Sequence, residues 1–177
     1  MNSKYIAKFE KVSFEQYLKD RMAIEGVTTE DPAFESDYMP KIFETWKNIK
    51  LPMRGTTGAA GYDFYSPDTY AISEHSVLFP TGIRVKMDDE WVLMLFPRSG
   101  LGTKYGCALD NTTGIIDSDY YYANNEGHIM AKLHSTKAFL IEKGDRFMQG
   151  IFVPFGVAEN GNNDAQRTGG FGSTGTK

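Results

Sequence analysis

The sequence predicts an all-β protein, a distorted barrel or double-sheet jelly roll of short strands, carrying a two-helix insertion near its N-terminus. Three observations lead there. From Pro52 to about Gly156 the chain runs in short β-branched and aromatic stretches, among them SVLFPTGIRVKM, EWVLMLFP, GHIMAKLH and FMQGIFVPFG, bounded by glycine, proline or aspartate. Glycine is frequent, at 18 residues, and aromatics reach 14%, a composition suited to strands joined by tight turns. Only residues 13–48 repeat apolar side chains at helical spacing.

Taken in order, KYIAKFEKV alternates Tyr5, Ala7 and Phe9 with Lys4, Lys8 and Glu10, the pattern of a half-buried strand. In SFEQYLKDRMAIEG, Ser13 and Gln16 have capping-box spacing. Phe14, Tyr17, Leu18 and Met22 follow the helical period, and Gly26 ends the helix. After the polar loop TTEDPAFESD, a second helix is expected in YMPKIFETWKNIK, with Met39, Ile42, Phe43, Trp46 and Ile49 along one stripe. These stripes pack the helices onto the β body. The expected organisation is one domain over residues 1–177, with 13–48 inserted after the first strand. No internal repeat is evident.

Bulk properties narrow the function. A net charge of −4 argues against a general nucleic-acid binder. The one cysteine, Cys107, allows no internal disulfide, and His75, His128 and His134 are scattered, without metal-ligand spacing. The opening MNSKYIAKFEK lacks an apolar signal core, and no run approaches the ~20 apolar residues of a membrane span. The expected compartment is the cytoplasm of a bacterial or phage-infected cell, with neither membrane nor nucleic acid as a partner.

Five stretches are too polar or glycine-rich for the strands they interrupt: AAGYDFYSP (59–67), PRSGLGTKYG (97–106), NTTGIIDSDYY (111–121), GDRFMQ (144–149) and RTGGFGSTG (167–175). Each alone has an ordinary reading as a turn. No GxxxxGK[ST] phosphate loop is present. In this order the five resemble the motifs of the homotrimeric dUTPase family, in a phage- or Firmicutes-like form with a helical insertion. The resemblance covers roughly the last two thirds of the chain plus the first strand, and PRSG and GIIDSDY are its most specific parts.

That resemblance implies hydrolysis of dUTP to dUMP and pyrophosphate (dUTP diphosphatase activity), which lowers dUTP and supplies dUMP for thymidylate synthesis. It makes Asp117 the catalytic aspartate that orients water for in-line attack on the α-phosphorus. Arg98, Ser99, Gly100 and Gln149 are implied phosphate contacts. Uracil is placed in a hairpin at 111–121, read by Asn111 and by backbone near Gly114, Ile115 and Ile116, with a further contact from Met130. Tyr120 is implied to lie under deoxyribose, leaving no room for a 2′-hydroxyl. At the tail, Arg167 reaches the γ-phosphate, Phe171 stacks on uracil, and Gly172, Ser173 and Thr174 wrap the phosphates as a lid over 167–177. Mg²⁺ is expected on the triphosphate, with no direct protein ligand. Asp63 either orders water around that ion or braces the barrel, Arg146 either contacts substrate or ties a carboxylate, and Asp119 is expected to be structural. Each site is implied to draw on three chains.

Three departures stand out. The spacing RTGGFG brings Arg167 one residue nearer the glycines than is common, extra residues follow Tyr120 in DYYYANNEGHIM, and the helices lie outside the common pattern. Two alternatives remain at this point. A dCTP deaminase of the same fold needs a glutamate on the strand after the uracil hairpin, and HIMAKLH has none. A regulatory trimer that grips a repressor-type protein could use the extra helices.

Overall fold

A computed structural model describes residues 5–161. The first strand, β1 (Ala7–Lys11), pairs antiparallel with β6 (Ile83–Met87), setting Phe9 opposite Val85. Tyr5, expected on its buried face, precedes the strand and is 89% exposed.

Helix α1 (Phe14–Glu25) begins as its sequence requires. The Gln16 N–H donates to Ser13 Oγ at 3.1 Å, and Gly26 closes the helix in the left-handed region at φ 68°. Its inward face holds Tyr17 and, against expectation, Arg21, which meets Glu25 at 2.5 Å, Asp68 at 3.3 Å and the Tyr17 hydroxyl at 3.2 Å. Such a buried guanidinium is tolerable only because it is surrounded by acceptors. One π turn (Phe34–Tyr38) leads into α2 (Met39–Lys47). Ile42 and Ile49 are buried as the stripe predicts, while Phe43 stays exposed and sets its ring edge-on to Phe14 and tilted against Trp46. The Trp46 indole N–H donates to the Val12 carbonyl at 2.9 Å, pinning the helix pair to the end of β1.

The remaining strands are short, as the turn spacing predicts. They are β2 (Met53–Arg54), β3 (Tyr62–Tyr65), β4 (Tyr70–Ile72), β5 (Val77–Pro80), β7 (Trp91–Pro97), β8 (Ala108–Leu109), β9 (Gly114–Ile116), β10 (Met130–His134), β11 (Phe139–Ile141) and β12 (Arg146–Pro154). All pairings are antiparallel. The largest sheet runs β2-β3-β12-β7-β9, and smaller sheets β5-β10-β8, β11-β4 and β1-β6 complete the body. Between them lie Phe64, Phe79, Leu93, Leu133, Phe147 and Met148, all essentially inaccessible. This is the predicted all-β framework with two added helices.

Two local expectations need correction. The stretch after Pro97, read as a loop, coils into a short helix, α3 (Ser99–Tyr105), closed by Gly106 at φ 65°. The expected hairpin at 111–121 does not pair with itself. β8 joins β10 and β9 joins β7, so the connecting turn is splayed between two sheets. The left-handed residue in that turn is Thr112, at φ 63°, rather than Gly114. Gly114 answers a different need: a Cβ there would lie 3.0 Å from Leu95 Cβ, tighter than most packed contacts, so Leu95 would have to give way.

Candidate active site

One group of predicted residues assembles where β3, β7 and β12 lie side by side. Gln149 stands opposite both Asp63 and Phe96 in the sheet, and Arg98 follows Pro97 at the end of β7. Asp63 is 8% exposed, and its carboxylate bridges two guanidiniums, Arg98 Nε at 3.4 Å and Arg146 Nη1 at 3.1 Å. The bridge fixes a pair of cationic forks at one edge, geometry suited to phosphate oxygens. Gly61 completes it from beneath. A Cβ at that position would meet Gln149 Oε1 at 2.9 Å, so only glycine lets the carboxamide lie there. Ser99 and Gly100 open α3 and are exposed, Gly100 with open space around it. Arg98 and Arg146 also wall a cleft of about 230 Å³ with Leu101, Leu140, Ile141 and Asp145.

A second group forms where the splayed turn parts β8 from β9. Asn111, Gly114 and Met130 converge on a cleft of about 100 Å³, floored by Leu95, Leu109 and Ala131 and rimmed by Asp110 and Lys132. A space of this size takes one ring system, well short of a whole nucleotide. Ile115 is half exposed at the mouth side of β9, Ile116 packs against the core, and Asp117 is half-buried immediately after the strand. Asp119 is exposed on the 3-10 turn Ser118–Tyr122.

Tyr120, on that same turn, is only 4% exposed. Its hydroxyl donates to the His128 carbonyl at 2.8 Å and accepts from the Asn125 amide at 2.8 Å. The hydroxyl's two bonds thus hold the ring in one position.

Asp110 and Gly61 were not singled out in the sequence. Asp110 accepts from Ser76 at 2.9 Å, lies 2.7 Å from His134 Nδ1, and meets Lys132 at 3.3 Å. Desolvation pushes its carboxyl up, but the His134, Ser76 and Lys132 contacts outweigh it and hold the group below its ordinary value. It thereby anchors the turn that carries Asn111, and its position next to Asn111 was the available signal. Arg167, Phe171, Gly172, Ser173 and Thr174, and with them the expected lid, lie outside the described residues.

The strand that leads into Asp117 and the arginine pair meet β7 at different points. Ile116 pairs with Leu93 near the start of β7, whereas Arg98 follows Pro97 at its end. At about 3.3 Å per residue, roughly 13 Å of strand separates Leu93 from Pro97.

Paired guanidiniums beside a carboxamide, with a ring-sized cleft on the same antiparallel framework, define a β-rich nucleotide enzyme. A family model described as dUTPase matches residues 47–175. The deoxyuridine 5′-triphosphate nucleotidohydrolase of Lactococcus lactis subsp. lactis (strain IL1403) is 39% identical over 143 residues, spanning 76% of this chain and 95% of the relative. That of Hahella chejuensis (strain KCTC 2396) is 38% identical over 141 residues, spanning 73% and 89%. Among solved structures, dUTPase from Streptococcus mutans is 42% identical over 62% of this chain and 88% of its own, with TM-score 0.57. A dUTPase from phage phi11 of S. aureus, at 20% identity and TM-score 0.57 over 67% and 92% of the two chains, shares the fold; its structure details a structural Mg(II) ion. The chain belongs to the dUTPase family and hydrolyses dUTP to dUMP and pyrophosphate.

Proposed function

We propose that the cleft at Asn111, Gly114 and Met130 receives uracil and that Asp117 orients the attacking water. The observation that carries this reading is the convergence of those three residues on one ring-sized cleft, with Asp117 three residues beyond Gly114. Uracil presents an acceptor at O4 and a donor at N3, and cytosine presents the reverse. A buried edge built for one leaves groups unpaired with the other, costing about 1–3 kcal/mol per mismatch. Asn111 and the backbone at Gly114, Ile115 and Ile116 supply that edge. Arg98, Ser99, Gly100 and Gln149 take the phosphates, and Tyr120 forms the wall under deoxyribose. Arg167, Phe171, Gly172, Ser173 and Thr174 close over the nucleotide.

Asp63 is occupied by Arg98 and Arg146 and so acts as a brace. Mg²⁺ would be carried by the phosphate oxygens and waters, which suits a hard cation that dehydrates reluctantly. Bound there, the ion neutralises charge on the phosphate oxygens. The reacting assembly is a homotrimer, in which the phosphate group of one chain faces the uracil cleft of another. The offset along β7 between the strand leading to Asp117 and Arg98 supports that arrangement. A second reading, a protein partner on the helical insertion, draws on the exposed Phe43 and Ile24 there. Pull-down with intact protein and with a form lacking residues 13–48 tests it.

The central test is a nucleotide panel. Pyrophosphate release is expected from dUTP and at far lower rates from dTTP, dCTP and UTP, and comparable rates on all four would overturn the base-reading scheme. Asp117→Asn is expected to bind dUTP yet lose about 10³-fold or more in turnover, as removal of a positioned base does.

A further inference from the structure

The family match begins at residue 47, so α1 lies outside it, and the segment after Tyr120 stands apart in the sequence as a departure from the resemblance. These two departures touch each other. Glu126, in the added segment, accepts from both the Ser13 backbone N–H at 2.8 Å and the Ser13 hydroxyl at 2.6 Å. It thus supplies the reciprocal half of the helix cap from 113 residues away. Two residues on, His128 is wholly buried. The Gly82 N–H donates to its Nε2 at 2.8 Å, so Nδ1 carries the hydrogen and donates it to Asp20 Oδ2 at 2.6 Å. Asp20 is on α1, where it also accepts from the Gln16 amide at 2.8 Å.

What these ties hold in place is Tyr120. Its hydroxyl donates to the His128 carbonyl, and Asn125 of the same segment donates back to it. Gly127, at φ 71°, passes so close beneath Tyr120 that a Cβ would fall 2.6 Å from the Tyr120 carbonyl oxygen. The segment therefore makes one sharp fold over the tyrosine, and both its acidic and its imidazole side chain are gripped by α1.

We infer that α1 is a positioning strut for the active site: Asp20 and Ser13 hold His128 and Glu126, and these set the depth of the Tyr120 ring. Asp20 and His128 are positioning residues for discrimination between deoxyribose and ribose. The inference rests on the reading of Tyr120 as the wall beneath the sugar.

The test compares kcat/KM for dUTP and UTP, alongside thermal melts, in the full-length protein. Asp20→Ala is expected to lower the dUTP:UTP preference about tenfold, since sub-ångström misplacement of such a wall has costs of that order. Asp20→Asn, whose amide oxygen still accepts from Nδ1–H, is expected to restore it. A merely structural helix would lower the melting temperature and leave the ratio at its parental value. Should Asp20→Ala fail to fold, Glu126→Ala on the partly exposed segment carries the same expectation. Folded Asp20→Ala or Glu126→Ala with parental preference overturns the strut. Tyr120→Leu separates the two ideas. If it loses discrimination while the strut variants keep it, the strut alone falls; if it too keeps parental discrimination, the sugar-wall reading falls and the strut with it.

Discussion

Two glycines of the site look alike in sequence and differ in what a methyl group would meet. At Gly114 a Cβ would press on Leu95 Cβ at 3.0 Å and Cδ1 at 3.1 Å, inside a core where both residues are buried. Gly114→Ala is expected to cost about 1–3 kcal/mol, measurable by denaturant unfolding, because the strand cannot retreat without parting β9 from β7. At Gly61 the obstacle is the far end of Gln149, a side chain that can swing away. Gly61→Ala should leave the unfolding midpoint within about 0.5 kcal/mol of the parent. It should nonetheless raise KM for dUTP several-fold, because the displaced carboxamide is a proposed phosphate contact. Equal loss of stability in the two variants would show that Gln149 is locked in place. A related expectation concerns Asp63→Ala, which leaves the Arg98 and Arg146 guanidiniums unbridged; its KM for dUTP should rise while Arg146→Ala, keeping the Arg98–Asp63 pair, should have the smaller effect.

Helix α1 and the segment over Tyr120 are joined by an acid-sensitive contact. Burial pushes the Glu126 carboxyl up, but the Ser13 hydroxyl and N–H, with Arg84, outweigh it and hold it below its ordinary value. A carboxyl depressed in the folded state contributes stability above its unfolded pKa of about 4.3, and loses it as pH falls through the lower folded value. Melts recorded from pH 6 down to pH 3 should therefore show a steeper acid loss in the parent than in Glu126→Gln. Parallel slopes would mean that the contact contributes nothing to folding. The same contact marks the limit of sequence reading. Ser13 as N-cap and Gly26 as stop were legible because both act on their own helix. The capping box, expected from Gln16, is closed instead by Glu126, because the Gln16 amide is taken by Asp20. α3 was missed because SGLGTKY carries two glycines and buries no side chain, so it leaves no periodic stripe. Arg98, Gln149 and Asn111 stood out in sequence as polar residues in stretches too polar or glycine-rich for the strands they interrupt, and the structure sets Arg98 and Gln149 about one strand edge and Asn111 at a cleft. Gly61 and Asp110 serve neighbours that only the sheet register brings to them.

Over the molecule, exposed apolar surface points to assembly. Large apolar side chains remain uncovered in this chain: Ile115 at 52%, Leu140 at 60% and Tyr122 at 70% exposed. Burial of such groups between copies stabilises closed homo-oligomers. A proposed site drawn from several chains makes a prediction that sites within one chain cannot meet. Chains carrying Asp117→Asn and chains ending at residue 166, which lack Arg167 and Phe171, should each be inactive alone. Unfolded together at equal amounts and refolded, they form mixed trimers. If the cleft and the closing tail come from different chains, random assembly leaves roughly one site in four with both parts intact, so about a quarter of parental pyrophosphate release should return. If the tail closes over its own chain's Asp117, every site keeps one defect whatever the mixture, and no activity returns. Size-exclusion chromatography with light scattering, run on the same mixtures, confirms that an inactive result comes from trimers and not from failed assembly.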